Sequence, residues 1–185
     1  MNKSRLYILS RGRIFECAVE DGVVWETHRK SSPGKLTFNV VKDDLLGFHE
    51  GDAVRFDYDG HKIFFGFVFT KKRSNNRIIS VTAYDQLRYL KYKDTYVYKN
   101  KTAAQLLKMI ANDSKPNLKL GIVADTKHVI ASRVEENQEY FTMLNYASDE
   151  TTRYTGELYI LYDDYGSLNL RSAKMLKTDI LIDEE

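Results

Sequence analysis

The stretch GDAVRFDYDGHKIFFGFVFTKKRSNNRIISVTAYDQLRYL, residues 51–90, alternates apolar with polar side chains in three segments, 53–58, 63–69 and 78–83. An alternation with a period of two is typical of β-strands. The dipeptides Asp59-Gly60 and Asn75-Asn76 separate the segments, and both favour tight two-residue turns. The stretch therefore predicts an antiparallel meander of three strands.

The middle segment of this meander is apolar on both faces. Phe64 and Val68 lie on one face beside Gly66, and the other face carries Ile63, Phe65, Phe67 and Phe69. A strand of this kind needs cover on two sides. We expect one face to pack in the core and the other to offer an apolar surface to a neighbouring subunit.

The overall composition is that of a folded globular protein. Of 185 residues, 43% are hydrophobic and 12% aromatic, which suffices for a packed core. The net charge of +2, from 28 basic and 26 acidic residues, is too near balance to indicate a nucleic-acid or acidic-membrane partner. The single cysteine, Cys17, excludes an internal disulfide. No stretch approaches the roughly 20 apolar residues of a membrane helix, so we expect no membrane association.

The rest of the first ninety residues has the same strand-and-turn pattern. Arg11-Gly12 and Asp21-Gly22 mark two turns. The alternating segments are residues 5–10, 13–20, 23–28 and 36–41. With the meander, they give six or seven antiparallel strands, spaced as in a small barrel or sandwich. We predict an N-terminal antiparallel, barrel-like β domain over residues 1–90.

Beyond residue 91 the hydrophobic period changes to that of helices. Thr102 is a good N-cap with Gln105 three residues later, and the helix ends at Ser114-Lys115-Pro116. Asn137 is predicted to cap a second helix that ends near Thr155-Gly156. The expected apolar stripes are Ala103, Leu106, Leu107 and Ile110 in the first helix, and Tyr140, Phe141, Leu144 and Ala147 in the second.

Extended segments surround these two helices. Residues 118–123 and 128–134 look extended, and residues 157–162 and 167–173 form a last hairpin in which Gly166 supplies the left-handed residue. The predicted fold class is therefore α+β, with a small α+β domain of two helices and a C-terminal hairpin over residues 91–175. Residues 176–185 show no terminal signal and are expected to begin a further segment or tail.

No constellation of catalytic or metal-binding residues is evident. The four histidines, His28, His49, His61 and His128, lack metal-ligand spacing, so we predict no metal site and no cofactor. Three adjacent acidic pairs could serve a glycosidase only if two carboxylates faced each other across a cleft. We interpret Asp163-Asp164 as turn chemistry, and Glu135-Glu136 and Asp149-Glu150 as solvated helix ends.

Tyrosines and basic residues alternate between Tyr84 and Lys101. The basic members are Arg88, Lys91, Lys93, Lys99 and Lys101, and the aromatic ones are Tyr84, Tyr89, Tyr92, Tyr96 and Tyr98. The pattern could form a stacking platform for single-stranded nucleic acid. The alternative, which we favour, is a β-rich connector whose tyrosines pack and whose lysines protect an exposed edge.

Several motifs resemble a known family in their order and spacing. They are Gly51-Asp52, Phe65-Gly66, the run Ala83-Tyr84-Asp85-Gln86-Leu87 followed by Tyr89-Leu90, and the helix that begins at Thr102. In this order they resemble the baseplate hub proteins of contractile phage tails (the late control protein D type), particularly the XkdQ/YqbQ type of prophages and phage-like particles. The resemblance covers most of the chain.

The resemblance implies a structural protein and no enzyme. Barrel-like tube domains of three such subunits form a ring that joins the tail tube to the spike, so self-association as a trimer is implied, with DNA only as cargo. The implied location is the host cytoplasm during assembly and then the baseplate of the virion tail. Family members generally carry a second tube domain after the α+β part, so the resemblance implies a fragment or a shortened relative.

The residues expected to be critical for the fold or for subunit contacts are Phe64, Phe65, Gly66, Phe67, Tyr84, Asp85 and Leu87. Each could equally be an ordinary core or turn residue. For Asp85 we expect a cap on the segment that begins at Gln86. Two alternative functions stay open at this point, a single-stranded nucleic-acid-binding module and a tail-associated peptidoglycan hydrolase.

Overall fold

The computed structural model describes residues 4–20, 22–42, 45–73 and 77–178. These residues form two compact units. The first contains the described residues up to Lys91 together with Asp163–Leu168, and the second contains Tyr92–Tyr162 and the described residues from Asn169 onward. The sequence places a boundary after residue 90, and the division into independent domains stays a prediction.

The first unit is built on one antiparallel sheet of seven strands. The strands are β1 (Ser4–Ser10), β2 (Arg13–Glu16), β3 (Val24–Glu26), β4 (Lys35–Val41), β5 (Ala53–Tyr58), β6 (His61–Arg73) and β7 (Ile78–Tyr84). Their order is β2-β1-β5-β6-β7-β4-β3. The predicted meander is confirmed, since β5, β6 and β7 are neighbours in this order.

Two turns of the sheet have the backbone conformation that their sequence predicts. Arg11 and Gly12 have φ angles of 49° and 75°, and Asp59 and Gly60 have φ angles of 50° and 81°. Two successive left-handed residues form the hairpin turn that matches the twist of the flanking strands. The predicted turn at Asn75-Asn76 lies outside the described residues, as does Asp21 of the predicted turn Asp21-Gly22.

One face of the sheet supplies the core of the first unit. Alternate residues of each long strand are buried, as the period of two predicts. Val54 and Phe56 of β5, Phe64 and Val68 of β6, and Val81 of β7 all lie in this core. Leu6, Ile8, Leu36, Phe38, Val40 and Ala83 complete the set from the remaining long strands and the end of β7.

The regular strand pairing of the first unit is open, with β2 and β3 at its two ends. The barrel-like closure predicted from the sequence is therefore not confirmed. The sequence predicts a strand over residues 13–20, but β2 is shorter and ends at Glu16. The chain then turns to other partners: Cys17 N donates to Leu6 O of β1 (2.9 Å), and Val41 N of β4 donates to Ala18 O (2.8 Å).

The second unit combines two small sheets with two helices. Its elements are β8 (Lys93–Lys101), α1 (Ala103–Asp113), β9 (Leu120–Val123), β10 (Ile130–Glu139), α2 (Tyr140–Thr155), β11 (Tyr159–Asp163) and β12 (Leu168–Ser172). β8 pairs with β10, and the other sheet has the order β11-β12-β9. Strands outnumber helices among the described residues, so this part of the protein is mostly β.

Helix α1 begins and ends where the sequence predicts. Thr102 Oγ1 accepts from Gln105 N (3.2 Å), and Gln105 Oε1 accepts from Thr102 N (3.1 Å), which completes a capping box. The helix ends at the C-cap Ser114. The predicted stripes of both helices are buried, and the two helices contact each other.

The predicted start of α2 is wrong. Asn137 lies in β10, at a bulge between Glu135 and Gln138, and has a left-handed φ of 48°. Its amide N–H donates to Thr95 Oγ1 of the paired strand (3.2 Å). Asn tolerates left-handed backbone in bulges as well as at helix ends, so the local signal did not distinguish the two. The predicted end is confirmed, with Gly156 as a left-handed C-cap.

Candidate functional site

The candidate site lies on the face of β6 that points away from the core. Phe64 is buried on the core side, while Phe65 and Phe67 are half-buried on the opposite side and Phe69 is 48% exposed. The predicted apolar character of both faces is thus confirmed. What covers the outer face decides whether it is available to a partner.

Residues of the same unit cover most of this outer face. The ring of Tyr165 lies 5.9 Å from that of Phe65, and the ring of Tyr89 lies 6.3 Å from that of Phe67. Gly166 packs so closely that a Cβ there would lie 2.5 Å from Phe65 Cδ1. Phe65 and Phe67 are therefore covered by their own chain, in contrast to the surface expected for a neighbouring subunit.

Tyr165 is held in place by polar contacts of its own. Its hydroxyl donates to Asp57 Oδ1 (2.9 Å). The guanidinium of Arg55 lies 5.8 Å from its ring centre and 5.5 Å from that of Tyr7, and the ammonium of Lys62 lies 5.3 Å from the Tyr165 ring. These cation–π contacts and the hydrogen bond fix the hairpin tip on β5 and β6.

Phe69 remains the exposed end of the aromatic row. Tyr84 of the adjacent strand meets it edge to face at 5.2 Å, and the guanidinium of Arg88 lies 4.9 Å from its ring centre. An aromatic ring paired with an arginine is a composition that protein interfaces favour. Phe69, Tyr84 and Arg88, here called the Phe69 patch, thus form the part of the face still open to a partner.

Gly66 lets β6 and β7 approach each other closely. A Cβ at this position would overlap the carbonyl oxygen of Tyr84 and lie 2.6 Å from Phe64 Cζ. No larger residue fits without displacing backbone. The sequence singled out Gly66, Tyr84 and Phe64, and the structure brings all three together.

Asp85 is a buried carboxylate at the end of β7. Its Oδ2 accepts from Gly34 N (2.8 Å), and its Oδ1 accepts from Leu87 N (3.0 Å) at the start of the 3₁₀ helix Gln86–Lys91. The expected hydrogen bond from Asp85 into this segment is therefore present. The carboxylate also fixes Gly34, where a Cβ would overlap Asp85 Oδ2. Asp85 thus connects the loop at Gly34 to the start of the 3₁₀ helix through hydrogen bonds to both.

A second carboxylate, that of the half-buried Asp163, lies near Asp85. Burial raises the pKa of Asp85 to about 8, and the negative charge of Asp163 adds to the effect. Burial also raises the pKa of Asp163 to about 6, although Gly166 N (2.7 Å) and Gln86 Nε2 (3.5 Å) both donate to it. Two acids with raised pKa values in one cluster make the stability of this region depend on pH.

The sequence missed the partners that complete the site. Of these partners the sequence singled out only Asp163, and the interpretation of Asp163-Asp164 as turn chemistry is confirmed by the hydrogen bond that Gly166 N donates to Asp163 Oδ1. Asp57 and Tyr165 are 108 residues apart, and Gly34 and Asp85 are 51 apart. No local pattern links such positions.

The proposed stacking platform is not assembled by the structure. Tyr96 and Tyr98 are buried, and their hydroxyls donate to Asp113 Oδ2 (2.8 Å) and Glu135 Oε1 (3.5 Å). Tyr84 and Tyr89 pack on phenylalanines, which leaves Tyr92, at 52% exposed. The favoured interpretation, packed tyrosines in a β-rich connector, describes this segment better.

Two of the three acidic pairs lie within regular elements of the second unit. Glu135 is buried in β10 beside Arg133, whose guanidinium lies over the Tyr146 ring. Asp149 and Glu150 lie within α2 and not at its end. The interpretation of both pairs as solvated helix ends is thus wrong. Among residues 4–20, 22–42, 45–73 and 77–178, no group of three His, Cys, Asp or Glu side chains could hold a metal ion.

Within those same ranges, no helix is long and apolar enough to span a membrane.

Solved structures similar to this chain include three bacterial tail proteins. A 43 kDa tail protein of prophage MuSo2 from Shewanella oneidensis has a TM-score of 0.70 at 16% identity, over 91% of this chain and 53% of that one. A tail protein from Neisseria meningitidis MC58 has a TM-score of 0.63 at 13% identity, over 90% of this chain and 50% of that one. The prophage tail protein gp18 from Listeria monocytogenes EGD-e has a TM-score of 0.62 at 13% identity, over 98% and 55%. The chain shares their fold.

Sequence relatives are also found. The protein XkdQ of the phage-like element PBSX and the protein YqbQ, both from Bacillus subtilis (strain 168), are each 32% identical over 160 residues. The match covers 83% of this chain and 48% of each relative, so the chain spans about half the length of these relatives. The YqbQ-like family model matches residues 23–185. Together with the shared fold, these matches show that the chain belongs to the YqbQ-like family.

Proposed function

We propose that this protein is a structural component of a phage tail or phage-tail-like particle. The observation that carries the proposal is the match of at least 90% of the chain to the fold of three tail proteins. A relative of the family, XkdQ, belongs to a phage-like element.

Within the tail, we propose the position of the baseplate hub, between the tail tube and the spike. The resemblance stated above supports this position. The course of residues 17–20, which follow β2 in the chain, supports it as well, because this segment hydrogen-bonds to both β1 and β4 of the seven-stranded sheet. Closure of the sheet into a tube domain would remove exposed strand edges. The hub function requires self-association as a trimer and contacts with tube and spike proteins.

The Phe69 patch is the contact surface that we propose for this assembly. Phe65 and Phe67 are covered by Tyr89 and Tyr165, so a partner that approaches β6 meets Phe69 and Arg88 first. Aromatic and arginine side chains dominate the binding energy of many protein interfaces. The other predicted contact positions on β6, residues 64–67, then contribute by stabilising the fold of this strand and not by direct contact with a partner.

The test is the native mass of the 185-residue chain and of a C-terminally extended chain over a concentration series. A trimer or ring is expected, at least for the extended chain, and Phe69→Asp is expected to abolish it. Tyr154→Asp changes an exposed aromatic of the second unit and serves as the control. Monomers at every concentration for both lengths would overturn the hub proposal.

A further inference from the structure

A pocket of about 370 Å³ opens at one end of the first unit, away from the Phe69 patch residues. Its wall includes Ser10, Arg11, Arg13, Phe15, Leu45 and His49. Neither the family match nor the proposed function assigns a role to this pocket.

The register of β1 and β2 places Arg13 on the same face of the sheet as Ser10, and both line the pocket. Ser10 pairs with Arg13, and Ile8 pairs with Phe15. Directly paired residues project from the same face of a sheet. Because Ile8 is fully buried in the core, Arg13 and Ser10 project from the core face at its end. Arg13 is exposed at this end of the sheet, where it contributes its positive charge to the wall of the pocket.

Ser10 adds an unused hydrogen-bonding group. It is 2% exposed, and its Oγ has no hydrogen-bond partner within the described part of the chain. Buried hydroxyls are nearly always paired, so an unpaired one at the floor of a pocket indicates a missing partner. A hydroxyl donates readily to an anionic oxygen.

The positive charge of the pocket is not neutralised by the described residues around it. Arg11 lies in a left-handed turn, with φ 49°. Neither Arg11 nor Arg13 forms an ion pair with any described residue. His49 is different, since its Nδ1 lies 3.8 Å from Asp52 Oδ2, which also accepts from His49 N (2.6 Å). The two arginines therefore carry the positive charge available to a ligand.

We propose that this pocket binds a carboxylate on a short apolar stem. The two guanidinium groups and Ser10 Oγ would bind the carboxylate, for which arginine has matching fork geometry. Phe15 and Leu45 provide an apolar wall for the stem. Inorganic phosphate would use the charge but not this wall, so the pocket favours the carboxylate. The ligand is either a small free acid or an acidic side chain of another protein.

The test is a titration of the ¹⁵N-labelled 185-residue chain with butanoate, followed by amide NMR. We expect saturable shifts at Ser10, Gly47 and His49, and at least about tenfold weaker binding by Arg13→Gln. Arg5→Gln removes an exposed arginine of β1 that does not line the pocket, and this variant should bind as the parent does. Arg11→Gln gives a second test should Arg13→Gln fail to fold.

Three results would overturn the proposal: no saturable shifts, equal binding of the uncharged butanamide, or tighter binding of phosphate than of butanoate. Acetyl-Leu-Glu-Leu-amide separates the two ligand sources. Displacement of butanoate by this peptide supports the site with an acidic side chain of another protein as its ligand. If butanoate binds and the peptide does not displace it, the result supports a site whose ligand is a small free acid.

Discussion

Removal of the Asp85 carboxylate should lower the stability of the fold, because this side chain accepts hydrogen bonds from two backbone N–H groups. In Asp85→Ala the amides of Gly34 and Leu87 lose their acceptors. Each unsatisfied buried donor costs about 1–3 kcal/mol. We expect a clearly lower free energy of unfolding in urea, whereas Asp164→Ala, which removes an exposed carboxylate from the turn between β11 and β12, should differ little from the parent. An Asp85→Ala variant with the same free energy of unfolding as the parent would contradict this structural role of Asp85.

The raised pKa of Asp85, about 8, also predicts a pH dependence. Between the unfolded pKa near 4 and the folded value, the folded chain holds a proton that the unfolded chain has lost. The contribution of this group to stability is therefore largest below its unfolded pKa and falls as pH rises toward 8, by at most about 1.4 kcal/mol per pH unit. The raised pKa of Asp163, about 6, acts in the same direction up to that pH.

Urea unfolding of Asp85→Asn at several pH values between about 5 and about 8 measures this effect. The variant should show a flatter dependence on pH than the parent, whatever its absolute stability. Glu16→Gln removes an exposed carboxylate from β2 and should keep the slope of the parent. Equal slopes for Asp85→Asn and the parent would contradict the raised pKa.

Gly66 offers a third test at the scale of one residue. Gly66→Ala places a Cβ against the backbone of Tyr84 and the ring of Phe64, so neighbouring strands must shift. Overpacking of this kind typically costs about 1–3 kcal/mol. Gly47→Ala is the matched control, since its Cβ meets open space and its φ is not left-handed. Equal unfolding midpoints for the two variants would show that the close approach is unimportant.

At the scale of elements, α1 depends on its N-terminal cap. Thr102→Ala removes the acceptor for Gln105 N, and a lost cap typically costs about 1 kcal/mol. The loss should be modest, because Thr126 Oγ1 still accepts from Ala104 N (3.1 Å). Thr142→Ala, at an exposed position of α2, is the control for removal of a threonine from a helix. Circular dichroism during thermal unfolding measures both.

The segment β8 shows how packing decides between two functions of one sequence pattern. Alternate tyrosines of this strand point into the second unit, where α1 and β10 supply their partners Asp113 and Glu135. Val97 between them is exposed, and so are Lys93 and Lys99 toward the ends of the strand. The same alternation that suggested stacking on bases therefore builds one half-buried strand.

For the whole molecule, we expect no specific binding of single-stranded DNA. With Tyr96 and Tyr98 buried, no row of exposed rings exists among the described tyrosines of this segment. Fluorescence anisotropy with labelled oligothymidine between about 50 and about 500 mM salt measures the binding. Tight, salt-sensitive binding that Tyr92→Ala or Lys93→Ala weakens would restore the nucleic-acid alternative.

The sequence by itself determined the elements whose signals are local. Alternation fixed the strands of the meander, Asp59-Gly60 fixed its first turn, and Thr102 with Gln105 fixed the start of α1. Each of these features is stabilised by interactions within a few residues, so the residue types alone carry the information. The family resemblance rests on the same local motifs, and the family match agrees with it.

The tertiary structure decided which surfaces are covered and where Asn137 lies. Gln86 and Asp163 are 77 residues apart, and Asp57 and Tyr165 are 108 apart, so no window of sequence shows that they meet. Asn137 accepts a left-handed backbone equally in a bulge and at a helix end, and the pairing of β10 with β8 selected the bulge. Contacts distant in sequence leave no periodic pattern, because they depend on how whole strands pack.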